Sequence, residues 1–522
     1  MNEFYNHIQY VIPENSEVSF SILPETRDIS LKVLEGIADI YVKDKIIRLP
    51  LQLEFSIQFW ECLCPRLKTR VGCNFLVRGN HYAFCSIQPG FVKRNLFGVS
   101  ANENSYSFVL EKNIQLQIFP VKSTEKKSSV SISISRGAPE ISGFKLSRKT
   151  TYHLSPFSPV LVESSDEKPY SVYVHGLERK VIVSMQDGNH RKCANDVKDH
   201  IIASCLLEKQ FKHTNPTILV LGPKHSGKTS FCQLLVNEAL EKKLTPICVD
   251  LNIKRNLTIP GSLSLSEIEN RIDSTLDFKY NIQRLLHYGS VIFTSVTERL
   301  YYFLVRKMGG LLSFHLNYNN KENCLSIIDT DGSQGENSTA IEHILKSFAV
   351  DLVVYIGNDH FYANLKNSIL ENVPSKFIPK PVDVLQPSEF YEAKFYQNRI
   401  QRYFFGSTDP SNKKARTIAI HQFTIYRIST SPEGTSTSDE KAPDYRVERI
   451  DFNLSLLNRL FGVSAAKRVD LHGITEIKYY VYFTDVNMAT KTATVIVPES
   501  ENFNGGILLM GYILKLYDSE NN

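Results

Sequence analysis

The stretch "GPKHSGKTS" at residues 222–230 constrains the fold of this chain more than any other. A glycine, four residues and then Gly-Lys-Thr lie between the apolar run "TILVLG" and the amphipathic pattern "KTSFCQLLVNEALEKK", in the order strand, loop, helix. Glycines let backbone N–H groups turn toward one point, and the helix N-terminus adds partial positive charge there. A loop of this form cradles phosphate. Gly222, Pro223, Lys224, His225, Ser226, Gly227, Lys228, Thr229 and Ser230 are therefore expected to bind ATP. Lys228 would reach the β- and γ-phosphates, and the Thr229 hydroxyl would ligate Mg2+. His225 is unusual in such a loop, at a position that tolerates many side chains.

Holding a nucleotide is not the same as transferring its phosphoryl group. Transfer also needs a carboxylate at the metal or at the attacking hydroxyl, and cations on the moving phosphoryl. Asp250, in "CVDLN" on the neighbouring apolar run, is the expected second metal residue beside Thr229. Asp329 and Asp331 close the run "CLSIIDTDG", which has the apolar-strand-then-acid form of a Walker B site. Each of these acids could equally be a helix cap or a turn residue.

Around the loop, apolar runs and helical patterns alternate ("TPICVDLN", "CLSIIDTDG", "VDLVVYIG"), which implies a parallel, doubly wound sheet from about 215 to 385. The fold class is thus α/β multidomain, with a central P-loop sheet flanked by β domains. Residues 1–99 and 105–190 read as two β-sandwich-like domains, and similar segments beginning at Ile29 and Val130 suggest one domain duplicated. Residues 195–405 would hold a linker helix and the P-loop domain, and 406–522 a small β-rich C-terminal domain interrupted by the polar stretch 429–444. The 522 residues carry a net charge of +5, too little to argue for nucleic acid; Lys122, Lys126 and Lys127, and Lys413, Lys414 and Arg416, read as solvated surface. Trp60, the single tryptophan, reads as core. No run of about eighteen apolar residues suggests a membrane span, and nine cysteines without a metal-ligand pattern point to reduced thiols in cytosol or nucleus.

The order of "GPKHSGKTS", "CVDLN…LTIPGSLSL", "LLHYGS", "VDLVVYIG…FYANLK" and "RIQRYFFG" resembles the polyribonucleotide 5′-hydroxyl-kinase family, closest to the P-loop subunit of the mRNA 3′-end cleavage and polyadenylation factor. The resemblance takes in most of residues 105–522, and the doubled β region departs from it. It also implies devices that this sequence lacks. Active members carry D/E-L-D-x-G-Q after the second strand, the last Asp acting on the hydroxyl proton; here Asn252 stands there, followed by Lys254 and Arg255 in place of Gly-Gln. A Trp that clamps RNA is replaced by Ser333, and two lid arginines by Pro387 and Glu392.

With those devices missing, the resemblance implies a nuclear, ATP- and Mg2+-binding but catalytically inactive subunit of the pre-mRNA 3′-end cleavage and polyadenylation machinery, a pseudoenzyme. Its nucleotide would orient domains and support binding of the scaffold subunit, with RNA left open as a second partner and no membrane. The alternative is an active RNA 5′-hydroxyl kinase in which Asp329 or Asp331 substitutes, with Arg255 standing nearby. A nucleotide switch of another kind would need a water-positioning residue, and Gln334 is the one candidate.

Overall fold

The computed structural model describes residues 6–12, 17–22, 28–42, 45–49, 54–58, 66–79, 83–88, 100–102, 105–110, 116–118, 130–148, 150–154, 160–164, 169–175, 189–206, 211, 213–256, 258–269, 280–318, 323–333, 337–380, 389–405, 415–430, 445–470, 474–498 and 501–514. Trp60, Lys122, Lys126, Lys127, Gln334, Pro387, Lys413, Lys414 and most of the polar stretch 429–444 lie outside them. The chain divides into two compact units. One is built mainly from residues 1–192; the other takes in nearly all of 193–522.

In the first unit, seven strands between Asn6 and Gln88 form one sheet, every described pairing antiparallel; its longest strands are Asp28–Val42 and Arg66–Gly79. Residues 100–175 form two further sheets of five and four strands. Alternation along Ser131–Arg136 and Tyr170–His175 sends Ile132, Ile134, Val172 and Val174 into a core shared with Leu116, Ile118 and Val162 of the smaller sheet. Within it the fully buried Tyr170 donates its hydroxyl to the Val162 carbonyl at 3.1 Å, which satisfies the one polar atom its ring brings inside.

The second unit is built on a seven-stranded sheet whose strands we number β1 (Thr217–Leu221), β2 (Thr245–Asp250), β3 (Ser262–Ile268), β4 (Tyr280–His287), β5 (Cys324–Asp329), β6 (Leu352–Gly357) and β7 (Ser375–Pro379). Their order is β4-β3-β2-β5-β1-β6-β7. From β2 to β7 every pair is parallel, whereas β3 joins β2, and β4 joins β3, antiparallel. The fully parallel sheet expected from the sequence is thus corrected to a mixed one. The connection from Leu251 to Gly261 is short and holds no helix among its described residues, so the chain doubles back instead of crossing over the sheet. Strands β1, β5 and β6 are buried at every position, as strands covered on both faces must be. Helices α1 (Asn189–Leu206), α2 (Lys228–Glu241), α3 (Ser295–Tyr318), α4 (Ser338–Ser347), α5 (Asp359–Lys366) and α6 (Glu389–Phe405) complete the unit's helical part.

A second seven-stranded sheet follows: β8 (Ala415–Ala419), β9 (Phe423–Thr430), β10 (Tyr445–Ile450), β11 (Arg459–Ser464), β12 (Ile477–Asn487), β13 (Thr492–Ile496) and β14 (Gly506–Leu514). It is antiparallel except where β9 runs parallel to β14. One apolar cluster joins Ile259 and Leu285 of the P-loop region, Ile400, Phe404 and Phe405 of α6, and Leu460, Tyr480, Tyr482 and Leu509 of this second sheet. His287, at the end of β4, is buried in the same seam: Nδ1 lies 3.1 Å from the Tyr480 hydroxyl and Nε2 3.3 Å from the Met510 carbonyl. Since a carbonyl only accepts, Nε2 carries the hydrogen and Nδ1 accepts from the tyrosine.

Burial lowers the pKa of this imidazole from 6.5 to about 4. Unfolded chains bind the proton first, so the stability of this unit is expected to fall as pH is lowered from 6.5 toward 4. Urea unfolding at pH 7.5 and pH 5, compared between the unaltered chain and His287→Asn, checks this. The drop on acidification should be smaller in the variant by about 1–2 kcal/mol.

Candidate nucleotide site

Strand β1 delivers the chain to Gly222, whose φ of +147° suits glycine. A Cβ there would collide with the Ile356 carbonyl oxygen of β6, so the residue that starts the loop also has to be small. The loop continues through His225 (φ +59°) to Gly227 (φ +94°), the N-cap of α2. Lys228 is 6% exposed, and its Nζ donates to the Pro223 carbonyl at 2.7 Å, folding the side chain back over the loop. Burial lowers its pKa, while Asp329 and Asp331 oppose that shift.

The carboxylates come from the C-terminal ends of β2 and β5. Parallel register puts Asp250 beside Asp329, and Asp329 Oδ2 accepts from the Thr229 hydroxyl at 2.6 Å. The other oxygen, Oδ1, is buried without a hydrogen-bond partner. Burial raises the Asp329 pKa, and the nearby Asp331 adds to the rise, against the Thr229 bond and the Lys228 charge. Such an orphaned, desolvated oxygen beside a threonine hydroxyl and a second carboxylate suits a hard divalent cation such as Mg2+, which favours oxygen donors. Thr229, Asp250 and Asp329 are the residues that would hold it. Asp250 Oδ1 already accepts the Asn252 N–H at 2.9 Å, in the turn that ends β2.

Asn252 and Ser333, which the sequence marks as departures, have defined surroundings. The Asn252 amide oxygen accepts from the backbone N–H groups of Lys254 (3.1 Å) and Arg255 (2.9 Å), so it shapes the turn. Ser333 caps Asp331: its N–H and hydroxyl both reach Asp331 Oδ1, at 2.8 and 2.6 Å. Between them Gly332 touches the phosphate loop so closely that a Cβ would collide with the Lys224 backbone. Thr330, fully buried, ties the same turn to β1 through the Val220 carbonyl at 2.8 Å.

Glu392, on α6, makes the densest ionic cluster at the site. Its carboxylate accepts from Lys224 Nζ at 3.0 Å and lies 3.1 Å from His225 Nε2 and 3.5 Å from the Arg255 guanidinium. Burial alone would raise its pKa. The bonds from His225 and Lys224 and the Arg255 charge overcome that and hold it at about 2. Arg255 also lies over the Phe395 ring, 5.3 Å from its centroid, which steadies it one turn along the same helix. The sequence flagged Glu392 only as a missing arginine and His225 only as a variable loop position. Nothing local in either neighbourhood signals that they meet.

Comparison with known proteins agrees with the resemblance. Residues 222–406 match the family model described as mRNA cleavage and polyadenylation factor CLP1 P-loop. The chain is 22% identical to a polyribonucleotide 5′-hydroxyl-kinase Clp1 from Bos taurus, over 79% of its own length and 98% of that protein. It is 26% identical to an mRNA cleavage and polyadenylation factor CLP1 from Phaeosphaeria nodorum, over 57% and 70%. Among solved structures, wild-type Clp1p in complex with Pcf11p superposes with a TM-score of 0.67 at 16% identity, covering 80% of this chain and 99% of that one. A second Clp1p structure, which describes ATP loss in a glycine-to-arginine point mutant, gives 0.66 at 17%.

Proposed function

Because residues 222–406 match the P-loop of the CLP1 cleavage and polyadenylation factor family, we propose that this chain is a nuclear, ATP-binding subunit of the pre-mRNA 3′-end processing machinery that does not transfer phosphate. Its partner would be the scaffold subunit of the cleavage factor, by analogy with the Clp1p–Pcf11p complex. Gly222 to Ser230 would enclose the phosphates. Mg2+, held by Thr229 with Asp250 and Asp329, would neutralise their charge. The β-sandwich reading of residues 1–190, with its duplication, belongs to the same proposal.

The observation that carries inactivity is how the polar groups around the loop are engaged. Asn252 is an amide whose oxygen already takes two backbone hydrogens, so it can neither accept a hydroxyl proton nor add charge at a metal. Glu392 puts a carboxylate against the loop, where a phosphoryl transferase needs cations. Loss of a general base alone removes about 10²–10⁴ in rate.

One observation favours the alternative of an active RNA 5′-hydroxyl kinase. Asp329 has a raised pKa and an oxygen without a hydrogen-bond partner, two properties of a base. A single-turnover assay with γ-labelled ATP, a 5′-hydroxyl RNA oligonucleotide and excess protein separates the readings. The expected result is no transfer above a Lys228→Ala control, with intact ATP recovered after denaturation. Transfer that Lys228→Ala abolishes would establish the kinase and make Asp329 the first residue to replace.

A further inference from the structure

Glu392 stands outside the phosphate-binding loop and yet is bonded to it. Its carboxylate links three separate pieces of chain: Lys224 and His225 on the loop, Arg255 on the turn after β2, and α6 itself. The far end of α6 is fixed, because Ile400, Phe404 and Phe405 are buried in the cluster shared with the second sheet. The Glu392 side chain is only 9% exposed and that of His225 11%, whereas Lys224 is 53% exposed. The cluster is thus open to water at Lys224 and closed around His225 and the carboxylate. Arg255 is held in place by the Phe395 ring, which Arg399 approaches as well, at 5.5 Å.

We propose that Glu392 is a latch: the carboxylate fastens α6 across the loop and sets how fast a bound nucleoside triphosphate enters and leaves. This rests on the reading that the loop holds a nucleotide. Lys224 and His225 belong to the loop, so their bonds to Glu392 tie the loop's side chains to α6. On this proposal α6 comes away from the loop, with the three bonds open, each time a nucleotide enters or leaves. Charge-assisted hydrogen bonds of this kind are about twice as strong as neutral ones, which makes opening slow. A gate of this sort raises the barrier between two states and leaves their relative energies nearly unchanged. A direct contact with the ligand would change affinity instead.

The test is stopped-flow binding of Mg2+ with a fluorescent ATP analogue to the full chain, and its displacement by excess unlabelled ATP. Glu392→Gln keeps the shape and removes the charge. The expected result is that association and dissociation rates both rise about tenfold or more, with a dissociation constant altered less than threefold. Arg255→Gln, which removes one of the three partners, should move both rates the same way by a smaller factor. It also decides the matter should Glu392→Gln not fold. Unchanged rates in a variant that still binds overturn the latch, as does a rise in dissociation alone. Failure of the unaltered chain to bind the analogue would instead overturn the nucleotide reading, and the latch with it.

Discussion

Replacing Lys228 and Thr229 together by alanine is expected to abolish nucleotide binding and, with it, most of the stabilisation that the ligand supplies. A ligand that binds only the folded chain contributes about 2.7 kcal/mol at a hundred times its dissociation constant and about 4.1 at a thousand times. The two residues act on different parts of the site. Lys228 is buried, and desolvation lowers its pKa against the pull of Asp329 and Asp331. Thr229 holds the Asp329 carboxylate at 2.6 Å and so sets the cation site. Thermal unfolding with and without Mg2+ and ATP provides the measurement. The unaltered chain should gain several degrees on addition and the double variant none. Without nucleotide, the variant should also unfold somewhat more easily, because the buried Asp329 loses both the Thr229 hydroxyl and the neighbouring Lys228 charge. A double variant as stable as the unaltered chain in the presence of ATP, with scaffold binding intact, would remove the structural role proposed for the ligand.

Gly332→Ala is expected to act nearly as strongly from outside the loop. The added methyl group would meet the Lys224 backbone, which cannot swing away as a side-chain tip would. Either the turn Asp331–Ser333 or the loop itself has to move. Moving the turn strains the Thr330–Val220 and Asp331–Ser333 bonds; moving the loop takes its N–H groups off their common focus. Overpacking of this kind costs about 1–3 kcal/mol, and ATP affinity measured by calorimetry should fall at least tenfold. Gly310→Ala is the control. It lies within α3 with nothing within 4 Å of a new Cβ, and should stabilise by about 0.5–1 kcal/mol without touching affinity. Equal, small effects of both substitutions would show that the close approach at Gly332 is not rigid.

The central fold was legible where local pattern and long-range pairing agree. "TILVL" and "LVVYIG" are apolar at nearly every position because both faces of β1 and β6 are covered, and the glycine-rich loop between strand and helix left one reading for that segment. The antiparallel strands β3 and β4 were not legible. "SLSLSEI" alternates as a half-exposed strand would, yet Ser262, Ser264 and Ser266 are buried along with the leucines. Ser264 is accommodated by bonding the Asn256 side chain, a partner that periodicity cannot announce. At the site, the positions of Asp250 and Asp329 followed from strand ends. The Glu392 cluster brings together residues about 170 apart in the chain, and such side-chain meetings leave no trace in spacing.

The seam that holds His287 also limits how this chain can be divided. Ending the polypeptide after α6, at a point that looks like a domain edge in sequence, would strip Tyr480, Tyr482 and Leu509 from Ile259, Leu285 and Phe404. The remaining piece would carry an intact phosphate loop and an uncovered apolar face, the surface that drives self-association. Premature stop codons between α6 and the end of β14 should therefore be read as losses of the whole nucleotide-binding half, and not as trims of an accessory module.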